Sequence, residues 1–153
     1  MNLLPGELDG THLHVPMVDL ELPAEVTDHL VAGAGGKVIV GIRPENFEGA
    51  ALVTAPEAAG ATFTAKIDVI EWLGSELFAH FEVEGSAAAE LADLAADLES
   101  VNIGTAAEQA QIVARLDVQS EARERTEQEI WVDARSIHLF DPETGASLVQ
   151  RPR

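Results

Sequence analysis

Thr62-Phe63-Thr64-Ala65-Lys66-Ile67-Asp68-Val69-Ile70-Glu71-Trp72-Leu73, then Gly74-Ser75, then Glu76-Leu77-Phe78-Ala79-His80-Phe81-Glu82-Val83-Glu84, is the stretch that decides the fold class. Phe63, Ala65, Ile67 and Val69 share one parity of the first run, and Ile70 and Trp72 share the other. Apolar and polar residues at a spacing of two describe a pleated strand. Gly74-Ser75 is a two-residue turn of the kind that joins antiparallel strands. The stretch is therefore a long β-hairpin, the clearest in the chain.

Upstream, residues 1–55 read as β-structure. Thr11-His12-Leu13-His14-Val15 and Val18-Asp19-Leu20-Glu21-Leu22 alternate as half-buried strands do. Pro16 between them implies an edge or a bend, and Pro23 ends the second run. Gly33-Ala34-Gly35-Gly36 is a turn. Lys37-Val38-Ile39-Val40-Gly41-Ile42-Arg43 follows as a nearly unbroken apolar run, which predicts burial on both faces. Pro44 has no amide hydrogen to donate, so pairing stops there. Residues 48–61 suggest one weak strand near Ala51-Leu52-Val53.

Downstream of the hairpin the period changes. Leu91, Leu94, Ala95 and Leu98 recur at three and four, with Glu90, Asp93 and Asp97 between them. This predicts an inserted amphipathic helix over 86–98, with Ser86 at its N-cap. Residues 99–109 read as a loop. Strands return at Gln111–Val118, Glu129–Val132 and Ser136–Phe140, and the charged stretch Ser120–Gln128 is a loop or a helical turn.

The chain has 153 residues, no cysteine and a formal charge of −18 from 9 Lys+Arg against 27 Asp+Glu. That length can bury a core without staples. Without cysteine there is no disulfide, thiolate metal site or thiol nucleophile. The acids are spread along the chain, and such a surface repels phosphate backbones and anionic headgroups. Nucleic acid is disfavoured further by 5% aromatic content, since single strands need aromatic platforms and a basic groove. No apolar run approaches the roughly 20 residues of a membrane span.

Three segments carry a resemblance: Val40-Gly41-Ile42-Arg43-Pro44-Glu45, Val69-Ile70-Glu71-Trp72-Leu73-Gly74-Ser75-Glu76, and Ile137-His138-Leu139-Phe140-Asp141-Pro142-Glu143-Thr144-Gly145. In this order they resemble the C-terminal regulatory domain of sugar-importing ABC transporter ATPases of the maltose/trehalose/glycerol-phosphate type. Met1-Asn2-Leu3-Leu4-Pro5-Gly6 resembles the point where the ATPase domain of that family gives way to the regulatory domain. The resemblance implies a mainly β fold over 1–153, an OB-like antiparallel barrel of the TOBE type, with the helix near 86–98 as an insertion. Ser120–Gln128 departs from the family's Gly-containing turn.

The resemblance also implies a function: a non-catalytic regulatory and dimerisation domain of a carbohydrate importer's ATP-binding subunit. Its partners would be a second copy, the ATPase domain of the full-length subunit and a cytoplasmic regulator. It would sit in the cytoplasm at the inner face of the membrane without inserting into it. ATP and magnesium would bind the absent ATPase domain, leaving this chain with no cofactor. The alternative is a barrel that binds a small ligand or an oxyanion such as molybdate.

The residues themselves offer little chemistry. No Gly-x-x-x-x-Gly-Lys-Ser/Thr phosphate loop occurs. Ser75 lies outside any Gly-x-Ser-x-Gly elbow and reads as a hairpin residue. His12 and His14 point to one strand face and would need a third ligand, such as Glu7 or Asp9, to hold a metal; an exposed strand face explains them better. Arg43-Pro44-Glu45 ends a strand, with Glu45 able to start a helical turn or pair with Arg43. His138 and Phe140 share a face. Asp141-Pro142 opens a turn that Gly145 completes with a positive φ. Gly41, Arg43, Pro44, Glu45, Leu73, Gly74, His138, Phe140, Asp141 and Gly145 are thus the motif residues, with structural roles and no catalytic or metal-binding one.

Overall fold

The computed structural model describes residues 1–53, 59–84 and 109–150. Two five-stranded antiparallel sheets share one apolar core. The first sheet contains β1 (Asn2–Asp9), β2 (His12–Val15), β3 (Val18–Glu21), β4 (Gly36–Ile42) and β10 (His138–Phe140), in the order β10-β4-β1-β2-β3. The second contains β5 (Phe47–Gly49), β6 (Gly60–Leu73), β7 (Glu76–Glu84), β8 (Gln109–Asp117) and β9 (Glu127–Asp133), in the order β5-β9-β6-β7-β8. A single helical turn, α1 (Ala24–Thr27), follows Pro23 and buries Val26. The mainly β, OB-like architecture matches the expectation from sequence; the amphipathic helix expected over 86–98 lies outside the described residues.

Strand β4 explains much of the first sheet. Val38 to Ile42 are all buried. Val38, Val40 and Ile42 join the common core. Ile39 and Gly41 face the other side, opposite Phe140 and His138 of β10. Strand β1 pairs with β4 along almost its whole length. It escapes a reading by alternation because Pro5 and Gly6 interrupt it. Pro5 is tolerated there because β2 pairs only with Glu7 to Asp9, leaving Pro5 with β4 as its only neighbour.

Two expectations need correction in the second sheet. The weak strand near Ala51 is a 3₁₀ turn over Ala50–Leu52; the strand lies earlier, at Phe47–Gly49, and pairs with β9. Three residues carry no period to detect, and only the burial of Phe47 shows their importance. The second correction concerns β6. Its pairing register with β7 shifts between Ile67 and Val69, so Asp68 forms a bulge. An extra residue reverses the parity beyond it. Val69 is therefore exposed, and Ile70 takes the core face in its place. The hairpin turn itself forms at Gly74-Ser75, with Gly74 at φ +72.

Among the described residues the chain crosses between sheets twice, and each crossing is a 3₁₀ turn: Pro44–Asn46 after β4, and Ala134–Ser136 before β10. Because β10 returns to the first sheet, neither sheet is a separate segment of chain. Phe47, Phe63 and Phe81 from β5, β6 and β7 meet in the core at centroid distances of 6.2, 6.3 and 5.8 Å, two of the pairs edge-to-face.

The second sheet would end in an open edge at β8, but side chains occupy it. The Asn2 amide donates to the carbonyls of Ile42 (3.1 Å) and Val113 (2.8 Å) and accepts from the Val113 amide (2.9 Å). Glu48 Oε1 accepts from the backbone amides of Gly49 (2.8 Å) and Asp117 (3.2 Å). One side chain thus gives Val113 both bonds that a neighbouring strand would supply.

Asn2 is only 8% exposed, so its removal leaves buried backbone groups without partners. Asn2→Ala is expected to destabilise the chain by about 2 kcal/mol, read as a lower urea midpoint with unchanged slope. Asn2→Asp should cost more at neutral pH, since a carboxylate cannot donate to either carbonyl. A midpoint equal to the parent's for both variants would show that the edge is not held by this residue.

Candidate functional site

Most of the motif residues gather along one side of the first sheet. Gly41 lies opposite His138 in the β4–β10 ladder. A Cβ built on Gly41 would come within 3.1 Å of the Phe140 ring and 3.3 Å of His138 Cβ, with the Met1 sulfur closer still. The glycine is there for close approach, not for an unusual dihedral. His138 and Phe140 stack beside it, centroids 6.3 Å apart and planes 9° from parallel. Leu139, between them, points into the core.

From Ile42 the chain enters the first crossing. Arg43 is exposed and occupies the N-cap position with no side-chain bond to the turn. Its carbonyl accepts from the Asn46 amide at 3.0 Å. Pro44 begins the turn and Glu45 is exposed within it. The second crossing is pinned differently. Asp133 accepts from the Arg135 backbone amide (2.9 Å) and from its guanidinium (3.0 and 3.1 Å), and this contact holds Arg135 above the usual guanidinium range.

After β10, Asp141 organises the last reversal. Its Oδ1 accepts from the amides of Glu143 (2.7 Å) and Thr144 (3.3 Å), and its carbonyl accepts from Gly145 (2.8 Å). Gly145 has φ +74. The returning chain then covers β10, with the Leu148 amide donating to Leu139 (2.8 Å), and reaches Leu30 through a bridge at Val149. Leu73 and Gly74 do not join this group. They sit in the other sheet, at the tip of the β6–β7 hairpin.

Among the described residues the motif side chains form turns and close strand contacts. A shallow hollow beside the last turn is lined by Gly33, Lys37, Asp141 and Glu143 among others. Its two carboxylates oppose an anion, which weighs against an oxyanion site there. On the outer face of β1, β2 and β3 the register aligns Glu7 with His14 and Asp19, and Asp9 with His12 and Glu21. All six side chains are exposed. Among the described residues no group of three His, Cys, Asp or Glu side chains is placed to hold a metal. His14 Nδ1 lies 2.7 Å from Asp19 Oδ1. That hydrogen bond and the charge of Asp19, assisted by Glu7 and Asp9, raise the imidazole above its ordinary pKa.

Sequence reasoning misses Asn2 and Glu48, which fasten the edge of β8. The one available signal was a polar residue at the head of an apolar run, Asn2-Leu3-Leu4. It also misses the geometry of the Ser120–Gln128 connection. There Glu121 and Arg125 take positive φ (57° and 62°), and Arg125 and Thr126 bond to the backbone of Ile67 beside the bulge.

Comparison with known proteins gives two overlapping family matches. The MalK OB fold domain model matches residues 1–47, and the TOBE domain model matches residues 40–108. Their overlap covers the end of β4 and the first crossing. The chain is 32% identical over 152 residues to the trehalose import ATP-binding protein SugC of Mycobacterium tuberculosis, covering 97% of this chain and 38% of that protein. It is 31% identical over 148 residues to the sn-glycerol-3-phosphate import ATP-binding protein UgpC of Cereibacter sphaeroides, covering 97% of this chain and 32% of the relative.

Two outcomes follow from this geometry. Gly145→Val should lower stability by about 1 kcal/mol or more, because a β-branched residue resists positive φ. Gly145→Asn should cost less, and equal melting temperatures for all three proteins would contradict a strained turn. For His14, NMR titration should give a pKa above that of the same ring in Asp19→Asn. Since the folded pKa is raised, the pair contributes to stability below the unfolded pKa and loses that contribution as pH rises through the folded one. An unchanged His14 titration in the variant would refute the pairing in solution.

Proposed function

Because this chain belongs to the MalK-type OB-fold and TOBE domains of sugar-importer ATP-binding proteins, we propose that it is the non-catalytic regulatory and dimerisation domain of such a subunit. One observation carries the reading. The match to import ATP-binding proteins runs over 97% of this chain but only 38% or less of theirs, and the phosphate-loop signature is absent from the sequence. ATP and magnesium then belong to an ATPase domain outside this segment, and the chain itself takes no cofactor. Its place is the cytoplasmic face of a membrane complex. No described helix is long and apolar enough to cross a membrane.

The physical role is an interface bias. Two ATP-binding subunits that open and close need a contact that persists through the cycle, and a β domain with one continuous core supplies a stiff one. A regulator that prefers one dimer state shifts the equilibrium by its differential affinity for the two. The partners are a second copy, the ATPase domain of the same subunit and a cytoplasmic regulator.

Self-association tests the proposal. At −18 per chain, two copies repel each other through surfaces that salt screens within about 8 Å. Sedimentation equilibrium should therefore show a dimer that tightens as salt rises. Without further domains to add contacts, its dissociation constant should be about micromolar or weaker. A strict monomer at high protein and salt concentration would remove the dimerisation role.

A further inference from the structure

The pairing registers set three rows of side chains on the outer face of β6, β7 and β8, turned away from the core. In the first row Val69 lies beside His80, and His80 beside Val113. In the second, Glu71 lies beside Phe78, and Phe78 beside Arg115. In the third, Leu73 lies beside Glu76, and Glu76 beside Asp117. The alternate residues Ile70, Leu77, Ala79 and Leu116 are buried on the inner face, and Trp72 belongs to that side, opposite Leu77. The bulge at Asp68 is what brings Val69 onto the outer face. Phe78 is the centre of the grid. Val69, Leu73 and Val113 are its diagonal neighbours, about 7 Å away in such a sheet. Leu73 is 59% exposed and Val69 47%, while Phe78 and Val113 are half-buried. Apolar side chains grouped on one open sheet face mark an interaction surface.

The charges on this face are settled within the chain. His80 Nε2 lies 2.7 Å from Glu71 Oε1, and Arg115 Nε lies 3.7 Å from Glu76 Oε1. Asp117 Oδ1 accepts from the Gln119 amide at 2.8 Å. The outer face of β1, β2 and β3 is different: Glu7, Asp9, Asp19 and Glu21 share it with two histidines. A basic partner would be drawn to that acidic face, and the net charge of −18 opposes an anionic one. Another copy of this chain needs a contact across which its own carboxylates do not repel it. The Phe78 grid meets that need, because its carboxylates are partnered and its centre is apolar.

We propose that the outer face of β6, β7 and β8, centred on Phe78, is where two copies of this chain meet. A two-fold axis passing between the faces beneath Phe78 presents the same rows from each side, as an isologous contact requires. The two sheets then stack about 10 Å apart with their side chains interdigitated. Three strands about 4.8 Å apart and three rows about 7 Å apart cover roughly 300 Å² per copy, against about 800 Å² in a standard interface, so the contact is a weak one. The inference rests on the dimerisation reading and gives that role a location. It places the contact on the second sheet, away from the Gly41–His138 ladder.

Sedimentation equilibrium of the whole chain at high salt tests the location. The double variant Val69→Ser, Leu73→Ser should raise the dimer dissociation constant about tenfold or more. Trp72→Ser removes a side chain that is 62% exposed but lies on the other side of β6, and should leave the constant within about twofold. Both residues of the double variant are well exposed, so the melting temperature should hold; if it falls, Leu73→Gln carries the comparison. The chain has no cysteine, so a spin label can be attached at one introduced site. In the dimer, a label on Glu82→Cys, exposed beside the grid, should lie closer to its counterpart than a label on His12→Cys does. A double variant that dimerises within about twofold of the parent would overturn the proposal and leave the face to a different protein or domain. Equal weakening by Trp72→Ser, or the reverse order of label distances, would overturn it too. In each of these cases the dimer itself persists and the dimerisation reading stands. A parent that stays monomeric removes that reading and this interface together.

Discussion

The edge of β8 is the constraint on which the rest of this structure depends. An unpaired strand edge exposes amides and carbonyls that either recruit another chain or lose their partners when covered. Here Asn2 meets both groups of Val113, and Glu48 takes the amide of Asp117. Asn2 also holds the carbonyl of Ile42, so one carboxamide joins β1, β4 and β8 across the two sheets. The bonds individually are modest, near 1 kcal/mol each. Their value lies in position, because they cap the second sheet at an edge that no described strand pairs.

That closure makes the two sheets mechanically one object. The chain passes from β4 to β5 at Pro44–Asn46 and back from β9 to β10 at Ala134–Ser136. The aromatic trio of Phe47, Phe63 and Phe81 fills the space beneath. Close-packed interiors transmit displacement instead of absorbing it. A force on the Gly41–His138 ladder is therefore passed to the second sheet through both crossings and through Asn2. This suits the holding role proposed for the domain.

The surface tells a complementary story. Carboxylates cover most faces, and the exposed basic residues are few and partly committed, as Arg115 is to Glu76 and Arg135 to Asp133. Such a field repels polyanions at a distance. Among the described residues the large hydrophobic side chains left exposed are Met1, Leu52, Val69, Trp72 and Leu73.

Strand content, the β6–β7 hairpin with its Gly74-Ser75 turn, the doubly buried β4 and the Asp141–Gly145 reversal were all legible in the sequence. Each is set by neighbours within a few residues: alternation, a proline without an amide, an Asx acceptor, a glycine with positive φ. Tertiary structure alone decided the rest. Strand β1 looks broken by Pro5 and Gly6 until Ile39 and Val38 of β4 pair with them from 34 and 32 residues away. The bulge at Asp68 depends on where Phe81 and His80 fall in β7, and it sends Val69 to solvent against its own parity. The bonds of Asn2 to Val113 span 111 residues. No local pattern encodes these, because a side chain's face and a polar group's partner are fixed by the register and packing of strands that meet only when the chain folds.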